Sequence, residues 1–283
     1  MSNIVELFGH CVAGRDRNWR RIVRRQECPF LNRRCYKVRK SEPDMSIGTC
    51  AVIYSRDSQP VIICPARLIE RRQIFVDCIH LLTTHQPGNE LHIVSEVSVP
   101  GGSIDYFLVS ARKGRVRDFV GIELQTLDTT GTVWPERQRL LRELGVPRLD
   151  EAEDSEKSYG MNWKMTAKTT LVQIHHKIQT FEHLNKKLVL ATQDKLLAYM
   201  TKEFNFDHLS APATVGDSMH FHSYRMAEQP DRSYRLTLEA RLSTDAAGIA
   251  LCLGLQAEAR IGLEEIIQAL QAKISPKTLF TPF

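Results

Sequence analysis

Two apolar segments that nonetheless carry acids, Ser103-Ile-Asp-Tyr-Phe-Leu-Val109 and Phe119-Val-Gly-Ile-Glu-Leu-Gln125, hold the residues of this chain best suited to chemistry. Each reads as a short strand. Successive side chains of a strand point to opposite faces, so Glu123 and Gln125 share one face while Val120, Ile122 and Leu124 share the other, which is expected to face a core. Asp105 lies on the preceding strand, and Lys113-Gly114 is the expected turn between the two. A carboxylate in an apolar strand costs roughly several kcal/mol unless it is paired or metal-bound. Side by side, Asp105 and Glu123 make a hard-oxygen site for Mg²⁺, an ion that takes one or two carboxylates together with substrate phosphate oxygens. Phosphodiester hydrolysis is the chemistry such a site suits. Glu96, nine residues before Asp105, stands close enough to add a third carboxylate. After the second strand, Thr126-Leu-Asp-Thr-Thr-Gly-Thr-Val133 offers hydroxyls and a glycine to a phosphate or a neighbouring backbone. The plainer alternative is an edge hairpin with solvated acids.

A second set of residues lies upstream. Six of the seven cysteines fall before residue 80: Cys11, Cys28, Cys35, Cys50, Cys64 and Cys78. Such a cluster in a reducing compartment suggests metal rather than disulfides. The gaps along Cys28, Cys35, Cys50 and Cys64 are six, fourteen and thirteen residues, unlike the paired C-x₂₋₄-C ligands of common zinc sites. Their surroundings, Cys28-Pro-Phe-Leu-Asn-Arg-Arg-Cys35, Ser41-Glu-Pro-Asp-Met-Ser-Ile-Gly-Thr-Cys50 and Val61-Ile-Ile-Cys-Pro65, read as turns and strand ends able to present thiolates to one centre. Cys78 and Cys252 read as small core residues, whereas Cys11 is free to be exposed.

Charge points in the same direction as these two sets. The net charge is +5, but residues 1–40 hold eleven Lys and Arg against three acids, +8, which leaves −3 for the remainder. A local field of that size suits nucleic acid, because Lys and Arg displace the counterions condensed on phosphates. The alternative is a solvated basic helix. Hydrophobic content of 42% and charged content of 25% belong to an ordinary globular chain. No run of about 18 apolar residues is present to cross a membrane, and the N-terminus lacks the basic-then-apolar pattern of a secretory signal. A cytoplasmic location is the expectation.

An Asp, a gap of 17 residues and then Glu-x-Gln resembles the PD-(D/E)XK nuclease core, with Gln125 where Lys is usual. Taken with the four cysteines upstream, residues 25–135 resemble the NotI-type restriction endonucleases, a family that joins such a core to an N-terminal four-cysteine site holding a single iron. The resemblance implies an α/β fold: a mixed sheet flanked by helices, with an N-terminal four-cysteine metal-binding subdomain. It makes Cys28, Cys35, Cys50 and Cys64 the metal ligands. It gives Asp105, Glu123 and Gln125 the core catalytic positions and Glu96 the upstream acidic position. Four-sulfur coordination by itself suits iron or zinc; the resemblance favours iron. It further implies a Mg²⁺-dependent type II enzyme that cuts double-stranded DNA at a GC-rich palindrome as a homodimer. Such an enzyme works in a bacterial cytoplasm beside a companion DNA methyltransferase acting on the same site. Arg20, Arg24, Arg33, Arg34, Lys37, Arg39 and Lys40 are then the DNA-binding candidates. Two rivals remain at this point: a repair nuclease of the same fold that reads DNA shape, and a metal-stabilised DNA-binding protein with a dead core.

The elements that must position these residues follow from periodicity and punctuation. Residues 1–85 are expected to form the basic, cysteine-bearing recognition region, and 86–283 the nuclease domain with a C-terminal extension for dimerisation. Residues 16–26 read as a basic helix and 66–75 as another after the last cysteine. Leu171, Ile174, Ile178 and Phe181, spaced by three or four, mark an amphipathic helix over 165–184. A buried strand over 188–192 and a helix over 196–204 follow, then strands over 220–225 and 234–242 and a last helix over 263–273. Strands followed by helix, strand and helix are what a mixed sheet covered by helices requires. Residues 149–158 are an acidic stretch expected in solvent. His175-His176 point in different directions on a helix and cannot readily chelate one ion. His220 and His222 share a strand face but lack an evident third ligand. Gly101-Gly102 is not a phosphate loop, since no Lys-Ser/Thr and helix start follow.

Overall fold

The computed structural model describes residues 2–14, 17–54, 59–147, 159–255, 267–268 and 271–273. The acidic stretch 149–158 lies outside the described residues, as does most of the expected final helix.

The N-terminal region is built on a four-stranded antiparallel sheet: β1 (Ile4–Leu7), β2 (His10–Cys11), β3 (Thr49–Ile53) and β4 (Pro60–Ile62), in the order β2-β1-β3-β4. The basic helix is present as α1 (Trp19–Arg25), shorter than its charge run; the Asn18 side chain caps it by accepting from Arg21 N at 3.0 Å. The helix expected over 66–75 is not continuous. A 3₁₀ segment, Pro65–Arg72, breaks at Glu70 and Arg71 and is followed by one short turn of helix, Gln73–Val76. The break has a cause: the Glu70 carboxylate accepts from Leu236 N at 2.7 Å and pairs with Arg67 at 2.9 Å, which holds the chain out of helical register.

The central feature is a six-stranded mixed sheet of β5 (Glu90–Val99), β6 (Gly102–Arg112), β7 (Arg115–Gln125), β8 (Lys187–Gln193), β9 (Met219–Glu228) and β10 (Tyr234–Thr244). Its order is β10-β9-β8-β7-β6-β5. The three strands β5, β6 and β7 form an antiparallel meander, whereas β8 runs parallel to both β7 and β9. Parallel neighbours need crossovers, and helices supply them: α3 (Trp163–His183) joins β7 to β8, and α4 (Asp194–Glu203) joins β8 to β9. Helix α2 (Trp134–Glu143) precedes α3, and α5 (Ala246–Cys252) follows the sheet. The β6–β7 hairpin closes at Lys113-Gly114, both with positive φ (51° and 71°), as a two-residue turn matched to strand twist requires. Every residue of β8 is buried, the pattern of a strand covered on both faces.

The two sheets are tied together by buried polar groups. Gln193, at the end of β8, donates to Pro60 O and accepts from Ile62 N, both at 2.8 Å, and so docks β4. Arg67 forms a buried two-bond pair with Glu6 of β1, at 2.6 and 3.1 Å, and also donates to Tyr234 O of β10 at 3.0 Å. Two apolar clusters, each drawing on both the N-terminal region and the large sheet, complete the join.

Candidate active site and four-cysteine centre

Strand alternation places the acids as expected: Val120, Ile122 and Leu124 are buried, while Glu123 and Gln125 stand partly open on the other face. The register then decides which acids meet. The β5–β6 ladder steps from Ile104↔Val97 to Tyr106↔Ser95 and brackets Asp105 and Glu96 between those pairs. The β6–β7 ladder begins only at Tyr106↔Ile122. Beyond that pair the strands part, and Asp105 Oδ2 accepts from Leu124 N at 2.8 Å. Glu123 therefore comes beside Asp105, close enough for their carboxyls to share a hydrogen bond. Three acids thus occupy one level of three adjacent strands. Glu96 sits there with φ of 56°, a left-handed conformation unusual for a non-glycine residue within a strand and costing of order 1–3 kcal/mol.

Burial pushes the Glu123 carboxyl up to about 7; Lys177 opposes this shift and Asp105 adds to it. Lys177 of α3 was not singled out from the sequence. Its Nζ donates to Glu123 Oε1 and to Ser103 O, each at 2.7 Å. The available signal was a lysine inside the apolar stripe, three residues from Ile174 and next to Ile178. Gln125 turns its amide to its own chain, Nε2 donating to Thr126 O at 2.7 Å. Asp105 and Glu96 open onto a cavity of about 380 Å³ whose other wall includes Leu31, Arg33 and Tyr36 of the cysteine-bearing region.

The four cysteines are 36 residues apart at their extremes in sequence and neighbours in space. All four are buried. Cys50 and Cys64 share a hydrogen bond, Cys28 and Cys35 each stand in the field of Cys64, and the Tyr36 hydroxyl bonds Cys64. Backbone N–H groups converge on every sulfur: Phe30 and Leu31 on Cys28, Lys37 and Gly48 on Cys35, Gly9 on Cys50, and Ala66 and Arg67 on Cys64. Such donors favour the anionic sulfur over the thiol. Burial raises Cys28 and Cys35, and Cys50 is raised well above the usual thiol by its bond to Cys64 and by burial. The same bond, with help from Lys37, brings Cys64 down to about 6. Among the described residues no three His, Cys, Asp or Glu side chains close around a single point as a bound metal would hold them. Proximity and aimed donors, rather than a closed cage, are what the thiols display. Donor set and surroundings fit a thiolate-bound metal.

The remaining sulfurs divide otherwise. Cys78 and Cys252 are core residues as expected. Cys11, expected free to be exposed, is buried, because β2 tucks its sulfur to 2.9 Å from Arg232 O. His220 and His222 are buried too, and desolvation pushes them down to about 4 and about 3. The fold brings Cys78 to 3.8 Å from His222 Nδ1 and stacks His80 on the His222 ring.

The basic candidates fall into two groups. Arg20, Arg24, Arg33, Arg34 and Lys40 are exposed, although Arg34 leans on Asp44 at 4.0 Å. Lys37 and Arg39 serve the cysteine region itself. Lys37 Nζ donates to Ile63 O at 2.5 Å, and Arg39 pairs with Glu42 and lies 4.8 Å over the Trp134 ring.

A mixed sheet carrying three aligned acids beside a basic, four-cysteine region has the layout of a nucleic-acid hydrolase. The sequence places it more narrowly: the family model for restriction endonuclease NotI matches residues 15–230, and the chain belongs to that family. It is accordingly a type II site-specific deoxyribonuclease acting on DNA. No curated protein and no solved structure matches the chain significantly. Among the described residues, no helix is long and apolar enough to cross a membrane.

Proposed function

We propose that the protein makes Mg²⁺-dependent double-strand cuts at a GC-rich palindrome, with a PD-(D/E)XK core formed by β5, β6, β7, β8 and α3. The observation that carries the reading is the alignment of Glu96, Asp105 and Glu123 at one level of three strands. Asp105 and Glu123 would hold the Mg²⁺, with Glu96 and the Leu124 carbonyl assisting. When bound, the ion supplies Lewis-acid polarisation of the scissile phosphate and a lowered pKa for the attacking water. Asp105 fixes the end of β7 through Leu124 N, and so holds Glu123 at its side. Gln125 is neutral and already bonded to Thr126 O, so it orients rather than neutralises charge.

The four cysteines, in this reading, hold a structural iron or zinc ion. That centre stiffens the segment carrying Arg33 and Arg34 and sets Arg33 at the mouth of the acid-lined cavity. Arg reads guanine bidentately in the major groove, which suits a GC-rich site. Palindromy would follow from the two-fold axis of a homodimer, and a companion DNA methyltransferase would protect the same site in a bacterial cytoplasm.

The test is cleavage of long, unmethylated, GC-rich DNA with and without Mg²⁺. Discrete Mg²⁺-dependent bands are expected for the native chain, and none for Glu123→Ala, which should still bind the DNA. Cleavage by Glu123→Ala would remove Glu123 from the centre, and a smear from the native chain would indicate a nuclease directed by DNA shape.

A further inference from the structure

The proposed centre gathers negative charge, and its own strand offers no cation two residues beyond Glu123, because glutamine occupies position 125. Another element delivers one. Lys177, on α3, is 54 residues from Glu123 in sequence, and its side chain is only 9% exposed. Two of its three ammonium N–H groups are committed to Glu123 and Ser103 O. With Glu123, Gln125, Thr170 and Gln173 it lines a small recess beside the acids.

The chain makes room for this side chain in a specific way. Gly101, in the turn between β5 and β6, and Gly102, the first residue of β6, have φ of +94° and +133°. A Cβ on Gly101 would lie 2.3 Å from His176 O, and one on Gly102 would lie 3.1 Å from Lys177 Cε. The glycine pair thus lets α3 approach closely enough for its lysine to reach across β6 to Glu123. A pair of glycines with no evident role in the sequence acquires one.

We propose that Lys177 is a catalytic residue of this centre, a cation brought by the helix to the place the strand leaves neutral. The proposal rests on the nuclease reading above. In the substrate complex the remaining N–H of the Lys177 ammonium contacts a non-bridging oxygen of the scissile phosphate. Hydrolysis forms a bond from the water oxygen to phosphorus and breaks the bond from phosphorus to the leaving sugar oxygen. The water gives one proton to solvent, and the leaving oxygen takes one from solvent. Lys177 stays protonated throughout and stabilises the charge on the phosphoryl oxygens. Oriented groups of this kind are worth about 10²–10³ in rate.

Single-turnover cleavage of long GC-rich duplex DNA in Mg²⁺ tests the assignment, with DNA binding measured in Ca²⁺ and melting followed on each variant. Lys177→Met should cut at least about 100-fold more slowly, with unchanged DNA affinity. Lys177→Gln keeps hydrogen-bond donors and loses only the charge; it should be as slow, and it stands in if the methionine variant does not fold. The deciding arm is the double variant Lys177→Met with Gln125→Lys. Returning the cation from the strand should recover at least about tenfold, which a purely structural lysine would not allow. A charge-free variant within about threefold of the native rate would overturn the role of Lys177 while leaving the nuclease reading intact, and so would a loss that the returned cation fails to mend. A native chain that cuts nothing in Mg²⁺ would instead take down the nuclease reading, and Lys177 with it.

Discussion

The four-cysteine centre and the acid level of the large sheet solve opposite problems with similar means. Both gather groups that disfavour one another's charge. At the cysteines the groups are buried, and every sulfur is met by at least one backbone N–H, which suits the structural metal proposed for them. At the acids the strands part, Glu96 is exposed and a cavity of about 380 Å³ remains open. Structural metal sites are closed, and catalytic ones keep an open position for substrate. On the proposed reading, enclosure rather than ligand type separates a part that holds the fold from a part that works on DNA.

That contrast can be broken most strongly at the cysteines. Cys50→Ser should lose the bound metal, and with it several kcal/mol of stability, on the scale seen for structural metal centres. DNA affinity should fall at the same time. Metal content and calorimetry on the purified variant check this, and a variant with intact metal and normal sequence-specific binding would show that the centre is not structural.

A smaller effect belongs to the acid level. A carboxyl whose folded pKa stands above its unfolded value binds its proton more tightly when folded. The contribution of Glu123, raised from 4.5 to about 7, is therefore in place below about 4.5 and is lost as pH rises through about 7. Without divalent metal, Glu123→Gln should flatten the decline of stability across that window, which has a slope of up to about 1.4 kcal/mol per pH unit. Denaturant melts at several pH values would read it. An unchanged slope would mean that Glu123 titrates like a solvated acid.

The smallest effect lies at the strained backbone. Glu96→Gly should be more stable than Glu96→Ala by about 1 kcal/mol, since only glycine adopts positive φ without strain. Both should lose cleavage if the carboxylate serves the centre. Equal stability of the two would show that the left-handed turn at Glu96 carries no strain.

Local pattern alone determined a good deal of this molecule. Alternation over residues 119–125 settled which face Glu123 and Gln125 share, Lys113-Gly114 marked the hairpin turn, and the stripe of Leu171, Ile174, Ile178 and Phe181 marked α3, because these features depend on period and backbone conformation within a few residues. The four cysteines, together with the Asp105 and Glu123 spacing, carried the family. Only the tertiary structure decided that Glu96 and Asp105 lie between the same two rungs of the β5–β6 ladder, since register is set by a whole sheet. It also decided that Cys11 is buried, that Glu70 interrupts the helix expected over 66–75, and that Lys37 and Arg39 support the cysteine region. Above all it decided the neighbour of Glu123. A lysine on an amphipathic helix reads as an interruption of the apolar face, and nothing within several residues of it names a partner. Its partner is 54 residues away in sequence, brought to 2.7 Å by a parallel crossover and by two glycines that let the helix come close.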